Sequence, residues 1–396
     1  MIQISLHKIY RARGSFWAAD VLQDFLILGR IPIKMKRDSD HLRKETGMKK
    51  TNLKKYTDFL VKETETLLNI DSPTGYTEDA AAWVKSEFEK LGFEAKRTNK
   101  GGVLVSFGGS SGGENGLLLE AHVDTLGAMV AEIKGNGRLR LTNLGGMNPN
   151  NAETENVRVV TKFSGIYEGT FQLCNASIHV NGEYNSIKRG WDTCEVVLDE
   201  DVKKKEDTEK LGVAVGDIVC FEPNVRITKS GYIKSRFLDD KLSVGILLGL
   251  AKYIRDEKIV PKRALYAHIT VYEEEGHGGS GSVPAGCTEA ISVDMGCVGE
   301  GLQCTEKQVS ICAKDSHGPY SYPIVKGLIE AAKACGADYA VDIYPHYGSD
   351  VEATLRAGND LRHGLIGAGV YASHGYERSH RDGAENTLRL LIAFAL

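Results

Sequence analysis

A chain of 396 residues with 42% hydrophobic and 26% charged content has the ordinary make-up of a soluble globular protein, long enough for two domains or for one domain with an insertion. A net charge of -4 argues against nucleic acid as the main partner, and no apolar stretch approaches the length of a membrane span. The eight cysteines form no CxxC pair and no dense framework, which points to reduced thiols and a cytoplasmic setting.

Residues 1–50 stand apart, with 11 Lys and Arg against 5 Asp and Glu, whereas the remainder holds 38 against 48. Asp20, Asp24, Asp38 and Asp40 are out of place in a targeting peptide. The segment therefore reads as a basic extension, a loosely attached arm or a product of upstream initiation. Met48 and the KKTNLKKYTDFL after it look like the start of the folded unit. Leu53, Tyr56, Phe59, Leu60, Leu67 and Leu68 fall on one helical face. Thr77, before Glu78 and Asp79, starts a second helix that Gly92 ends. GGVLVSF and GLLLEAHVD follow as strands, with His122 and Asp124 at the end of the second.

From about Met129 to Ser235 the texture changes. Short β-type runs (VRVVTKF, GTFQL, ASIHV, CEVVL, DIVCF) alternate with turn residues, which predicts a small β-barrel over 129–235. DDKLSVGILLGLAKYIRDEK then reads as a helix with Leu242, Ile246, Leu250, Tyr253 and Ile254 on one face. Strands ALYAHITVY, AISVDMG, QVSICAK, YAVDIY and RHGLIGAGV alternate with helices around 322–335, from Ser349, and at the end of the chain. This alternation predicts an α/β fold, a mixed sheet with helices on both faces, built from 51–128 and 236–396.

The most telling stretch is HITVYEEEGHGG, where three glutamates leave a core-quality strand just before a glycine hinge. Acid runs are usually solvated helix faces. Here they sit at the carboxyl end of a strand, where open α/β sheets place their ligands. AHVDT, RFLDDK, SVDMG and ASHGYERSH fall at comparable positions. Singly each has a bland reading: a His–Asp core pair, an acidic N-cap, a strand-end cap, a surface histidine. Together they bring two imidazoles and at least three carboxylates to one rim. Clustered acids repel and resist ionisation. A bound divalent pair removes that cost, and N/O ligands without thiolate suit zinc, cobalt or manganese.

The order H-x-D, D-D-K, E-E, V-D and a C-terminal His, with a β-domain inserted after the first motif, resembles the tetrahedral (glutamyl aminopeptidase) family of co-catalytic dimetal aminopeptidases. The resemblance runs over roughly residues 53–396, and LGGMNPNN, His179–Val180 and LGVAVGDIVCFEP look like that family's barrel. It implies a zinc-aminopeptidase-like fold acting on short peptides or small amides through metal-activated water. It also implies two divalent ions per subunit, zinc or cobalt, with manganese a further option. Carried over residue by residue, His122 and Asp294 would hold one ion, Glu274 and a C-terminal His the other, and Asp239 would bridge them. Glu273 would be the catalytic acid/base, and Asp124 would orient His122. Spacing to the last helix makes His374 the better match, with His380 the alternative. The resemblance further implies a cis peptide after Asp239 and a homo-oligomer, since the family builds dodecamers enclosing a chamber. The edges of the inserted barrel are expected to take part. Thr125 stands where the family often has Glu, and DDK replaces a common D-N-R, so that Lys241 supplies the charge.

Elementary chemistry agrees with that assignment. The proton carrier must stand near the metals without ligating them. At an extended strand end, adjacent side chains point to opposite sides. Glu274 can then face a metal and Glu273 the substrate, provided the backbone turns there, as the following glycine permits, while Glu275 is left over. Two other readings exist. A glycoside hydrolase with paired carboxylates leaves both histidines without a task, and a non-enzymatic metal-binding scaffold leaves the base without one.

Overall fold

The computed structural model describes residues 52–109 and 115–396, so the basic extension lies outside the described residues. The chain opens with helices α1 (Lys54–Leu68) and α2 (Glu78–Lys90) and strands β1 (Glu94–Arg97), β2 (Val103–Gly108) and β3 (Gly116–His122). Six strands of the insertion follow: β4 (Gly127–Ile133), β5 (Leu139–Leu144), β6 (Asn156–Val160), β7 (Ile166–Leu173), β8 (Cys194–Leu198) and, after the short helix α3 (Lys205–Lys210), β9 (Ile218–Phe221). They close into a barrel in the order β4-β5-β8-β7-β6-β9. Alternate residues such as Val130, Leu141, Val159, Phe171, Val196 and Phe221 fill it, each adding about 1.5–3 kcal/mol when fully buried.

Two sequence expectations fail here. ASIHV is a turn, not a strand: Ile178 and Val180 are 57% and 75% exposed and have no sheet to pack on. Strands β10 (Arg226–Ile227) and β11 (Tyr232–Ser235), counted with the insertion, belong to the main sheet, where β11 pairs with β19 (Glu377–His380).

The main sheet continues with helix α4 (Leu238–Asp256), β12 (Leu265–Thr270), β13 (Cys287–Val293), β14 (Gly296–Val298), β15 (Val309–Asp315), β16 (Gly318–Pro319), α5 (Tyr322–Cys335), β17 (Tyr339–Ile343), α6 (Asp350–Arg356), β18 (Arg362–Tyr371) and α7 (Arg381–Ala395). Strands β12, β3, β13 and β18 lie side by side and parallel, flanked by the antiparallel β2 and β15. The sheet is therefore mixed. Every residue of β3 is buried, which requires cover on both faces. None of the described helices is long and apolar enough to cross a membrane.

Candidate metal centre

Parallel pairing puts the carboxyl ends of β3, β12, β13 and β18 on one rim; Thr270, the last residue of β12, sits opposite His122, the last of β3. Asp294 directly follows β13, His374 lies just beyond β18, and the start of α4 brings in Asp239. Asp239 and Asp240 have non-helical angles, and the peptide bond between them is cis, as the resemblance implied.

Asp239 sits at the centre. Its Oδ1 is 3.1 Å from His122 Nε2, and its Oδ2 is 3.5 Å from His374 Nε2. Glu274 Oε2 is 3.7 Å from the same His374 nitrogen, and Glu273 Oε2 is 3.7 Å from His122 Nε2. Two donor groups have atoms within 4.8 Å of one another: His122 with Asp239 and Asp294, and Asp239 with Glu274 and His374. Each has the composition to hold a metal ion, and they share Asp239. Glu273 belongs to neither.

The imidazole tautomer follows from one contact. His122 Nδ1 lies 2.9 Å from the carbonyl oxygen of Asp124, which can only accept, so Nδ1 carries a hydrogen and Nε2 is the nitrogen that faces the rim and could give up its proton for a metal ion. The Asp124 carboxylate, from which this contact was expected, stands farther off, with Oδ1 3.7 Å from His122 Nδ1. It accepts from the backbone N–H groups of Glu273 and Glu274 at 3.2 and 3.3 Å. Those two glutamates do not stand on an extended strand end, as the sequence reading had them. The strand stops at Thr270, Tyr272 turns the chain with φ of 68°, and Glu273–Glu275 forms one 3₁₀ turn. It is the turn, braced by Asp124, that separates the two carboxylates. Glu275 accepts from Gly145 N–H at 2.8 Å and so ties the turn to the barrel.

His374 rather than His380 reaches the rim. His380 donates from Nε2 to the Ser230 carbonyl at 2.8 Å, and its Nδ1 caps α7 by accepting from Asp382 N–H at 3.0 Å. Gly146 explains part of the LGGMNPNN motif, because a Cβ there would come within 2.5 Å of His374 Nδ1. Lys241 does not face the acids. Its amine donates to the Ile70 carbonyl at 2.6 Å, and burial lowers its pKa to about 7.

Three acids escaped the sequence reading. Glu377 accepts from the backbone N–H of Asp239 and of His374, both at 3.1 Å, and so joins the shared acid to the C-terminal histidine. Asp240 accepts from His122 N–H at 3.2 Å. Asp350 takes the Thr270 hydroxyl and, at 2.5 Å, Gly279 N–H, bracing both ends of the glutamate turn. Phe237, Tyr272 and His374, each at or beside a rim residue, hold left-handed φ of 70°, 68° and 60°, the kind of backbone strain that gathers at functional sites.

Burial, then the neighbouring acids, pushes Glu273 and Glu274 well above the usual carboxylate range and Asp294 up to about 7. Burial opposes the charged form of His122, yet Glu273, Asp239, Asp124 and Asp240 outweigh it and raise its pKa strongly. Contact with Asp239 takes His374 up to about 10. Glu274 Oε1 and Asp240 Oδ1 are buried without a hydrogen-bond partner. A cavity of about 600 Å³ opens over these groups, walled further by Met295, Cys297, His346 and Tyr347.

The profile of the M42 glutamyl aminopeptidase family matches residues 101–390. The chain belongs to that family. Membership makes it a hydrolase acting on peptides and implies divalent metal ions, for which the rim offers the donor groups. The chain is 42% identical over 335 residues to the putative aminopeptidase YhfE of Bacillus subtilis, covering 85% of this chain and 96% of that protein. It is 25% identical over 187 residues to the lysyl aminopeptidase of Pyrococcus furiosus, or 47% of this chain and 51% of that one. Among solved structures, the TET1 peptidase of Pyrococcus horikoshii shares its fold with a TM-score of 0.75 at 22% identity, covering 85% of this chain and 99% of that one. An aminopeptidase of Desulfurococcus kamchatkensis gives 0.76 at 20%, covering 86% and 95%.

Proposed function

We propose that this chain is a two-metal aminopeptidase that removes N-terminal residues from short peptides. The observation that carries the reading is the pair of donor groups sharing Asp239, with Glu273 beside them and in neither. A buried Glu274 oxygen without a partner and an N/O donor set without thiolate fit a divalent pair, zinc or cobalt before manganese. His122 and Asp294 would hold one ion, Glu274 and His374 the other, and Asp239 both. Bound there, the ions would supply Lewis acidity toward the scissile carbonyl and a water ready to lose its proton.

Glu273 then has the proton traffic to itself. Its carboxylate takes the proton from water and hands it to the leaving amine. Asp124 keeps the carboxylate in place by holding the backbone of the turn, and fixes the His122 tautomer through its carbonyl. Glu377 and Asp350 hold the remaining segments in register, so that the groups are set before substrate arrives.

The reading extends to assembly and setting. Phe163 and Val215, at barrel turns, are 96% and 63% exposed and leave apolar side chains on the barrel that another copy could cover. The Pyrococcus horikoshii TET1 peptidase can assemble into a tetrahedron or a large octahedral shell. We infer a homo-oligomer, dodecameric as in the family, built partly through the barrel, and a cytoplasmic setting consistent with eight unpaired cysteines. A screen of aminoacyl and dipeptide substrates, with zinc, cobalt or manganese restored after chelation, tests the activity. Turnover that survives chelation unchanged contradicts it.

A further inference from the structure

Away from the rim acids, on the wall of the same cavity, a third donor group stands at the junction of β15, β16 and α6. Asp315, His317 and Glu352 have ligand-capable atoms within 4.8 Å of one another. The site is built rather than incidental. Asp315 is fully buried; its Oδ1 accepts from His317 N–H at 2.8 Å and its Oδ2 from the Tyr320 hydroxyl at 2.7 Å. The same hydroxyl lies 3.0 Å from Ser349 Oγ, at the start of α6. Gly348 leaves room for the imidazole, since a Cβ there would come within 2.8 Å of His317 Cε1. Glu352 is only 8% exposed. Its Oε2 lies against His317 Nδ1 without the angles of a hydrogen bond, and this buried oxygen has no hydrogen-bond partner. Two carboxylates thus face one another with one imidazole; burial and then Asp315 raise the Glu352 pKa to about 8 against the nearby Arg356, which makes no ion pair with either acid among the described residues.

We propose that Asp315, His317 and Glu352 form a third divalent-cation site, taking zinc, cobalt or manganese, on the wall of the substrate cavity. Two carboxylates and one imidazole make a three-ligand set of the kind that leaves a coordination position open, here toward the cavity. The ion ties the 315–320 segment to α6. That helix also carries Asp350, which braces the glutamate turn, so the site is structurally continuous with the rim while using none of its donors.

The inference does not depend on the two-ion reading, and one experiment separates them. Crystals of the full chain soaked in zinc are measured for anomalous scattering at the zinc edge. A peak among Asp315, His317 and Glu352 is expected, whatever the rim shows. Rim peaks with none here overturn this proposal and leave the rim reading standing; a peak here with an empty rim does the reverse. His317 is 44% exposed at its side chain, so His317→Ala has little folding to disturb, and Glu352→Gln preserves shape. Each is expected to erase the peak and to weaken the third equivalent of zinc in solution by at least about tenfold. Unchanged third-equivalent binding in both folded variants overturns the proposal.

Discussion

The barrel and the sheet rim both bury acids, and they do so in opposite ways. In the barrel, Glu195 is almost fully buried, yet Lys134 and Arg138 reach both of its oxygens, Arg138 at 2.6 Å. Burial opposes ionisation there, but the two cations outweigh it and hold the carboxyl below its usual range. At the rim, Asp239, Glu273 and Glu274 have, among the described residues, only the imidazoles of His122 and His374 as ion-pair partners. Glu273, Glu274 and Asp294 are pushed upward instead, while at Asp239 alone among them burial is outweighed by the two imidazoles, which hold it below its usual range. A buried acid that carries its own cation is finished structure. Buried acids gathered without one, with carboxylate oxygens left unpartnered, are what our proposal reads as a place prepared for a cation from outside.

That contrast can be broken at several points. The largest effect is expected from Glu273→Gln, which keeps size and hydrogen bonding but cannot take a proton at neutral pH. It should retain its metal and lose at least about a hundredfold in kcat. Glu274→Gln should instead lower occupancy of one ion. If metal analysis and kinetics give the reverse pattern, the two roles are exchanged. His374→Ala should likewise weaken one ion. His380→Ala should keep turnover and cost about 0.5–2 kcal/mol of stability through the lost cap of α7, measurable by denaturant unfolding.

In the barrel, Glu195→Gln should lower stability by about 1.5–3 kcal/mol and leave metal content and kcat where they were. A loss of metal there would erase the distinction between the two regions.

The pH dependence of the chelated protein sharpens it further. Carboxyls raised in the folded state bind more protons than their unfolded counterparts, so their stability contribution is lost as pH rises. The window runs from about pH 4, where an unfolded carboxyl titrates, to about 7 and 8, where Asp294 and Glu377 do. His374, raised to about 10, acts with the same sign above its unfolded value. Thermal unfolding of the chelated chain should therefore move to lower temperature from pH 5 to pH 8, and added zinc should reverse most of the loss. A metal-free chain that gains stability over that range contradicts the account.

Much of this was legible in the sequence, and the rest was hidden for identifiable reasons. Hydrophobic period and turn residues marked the long helices and the central strands β2, β3, β12, β13, β15, β17 and β18, and the helix expected over 322–335 spans Tyr322–Cys335 as found, but the short strands β1, β10, β11, β14, β16 and β19 were not marked. The motifs that carry His122, Asp239, Glu273, Glu274, Asp294 and His374 stood out because each lies at the end of a core strand or opens a long helix, and the family resemblance then picked out the individual residues. Glu377 and Asp350 were not: their task is to accept backbone N–H groups from distant segments, and nothing local in a sequence marks an acid for that. Asp315, His317 and Glu352 come together only when β15 and α6 meet. The glutamate turn was misread because the left-handed Tyr272 carries no glycine signal, and ASIHV because β-propensity alone does not supply a neighbouring strand.

The central claim is that the rim is an unfinished charge cluster completed by two ions sharing Asp239. Metal analysis of the zinc-saturated chain and of its Asp239→Ala variant, both carrying His317→Ala to remove the third site, tests it most directly. The account predicts two ions per chain in the first and none retained in the second, with the fold preserved. At most one ion in the first, or two still held by the second, would contradict it.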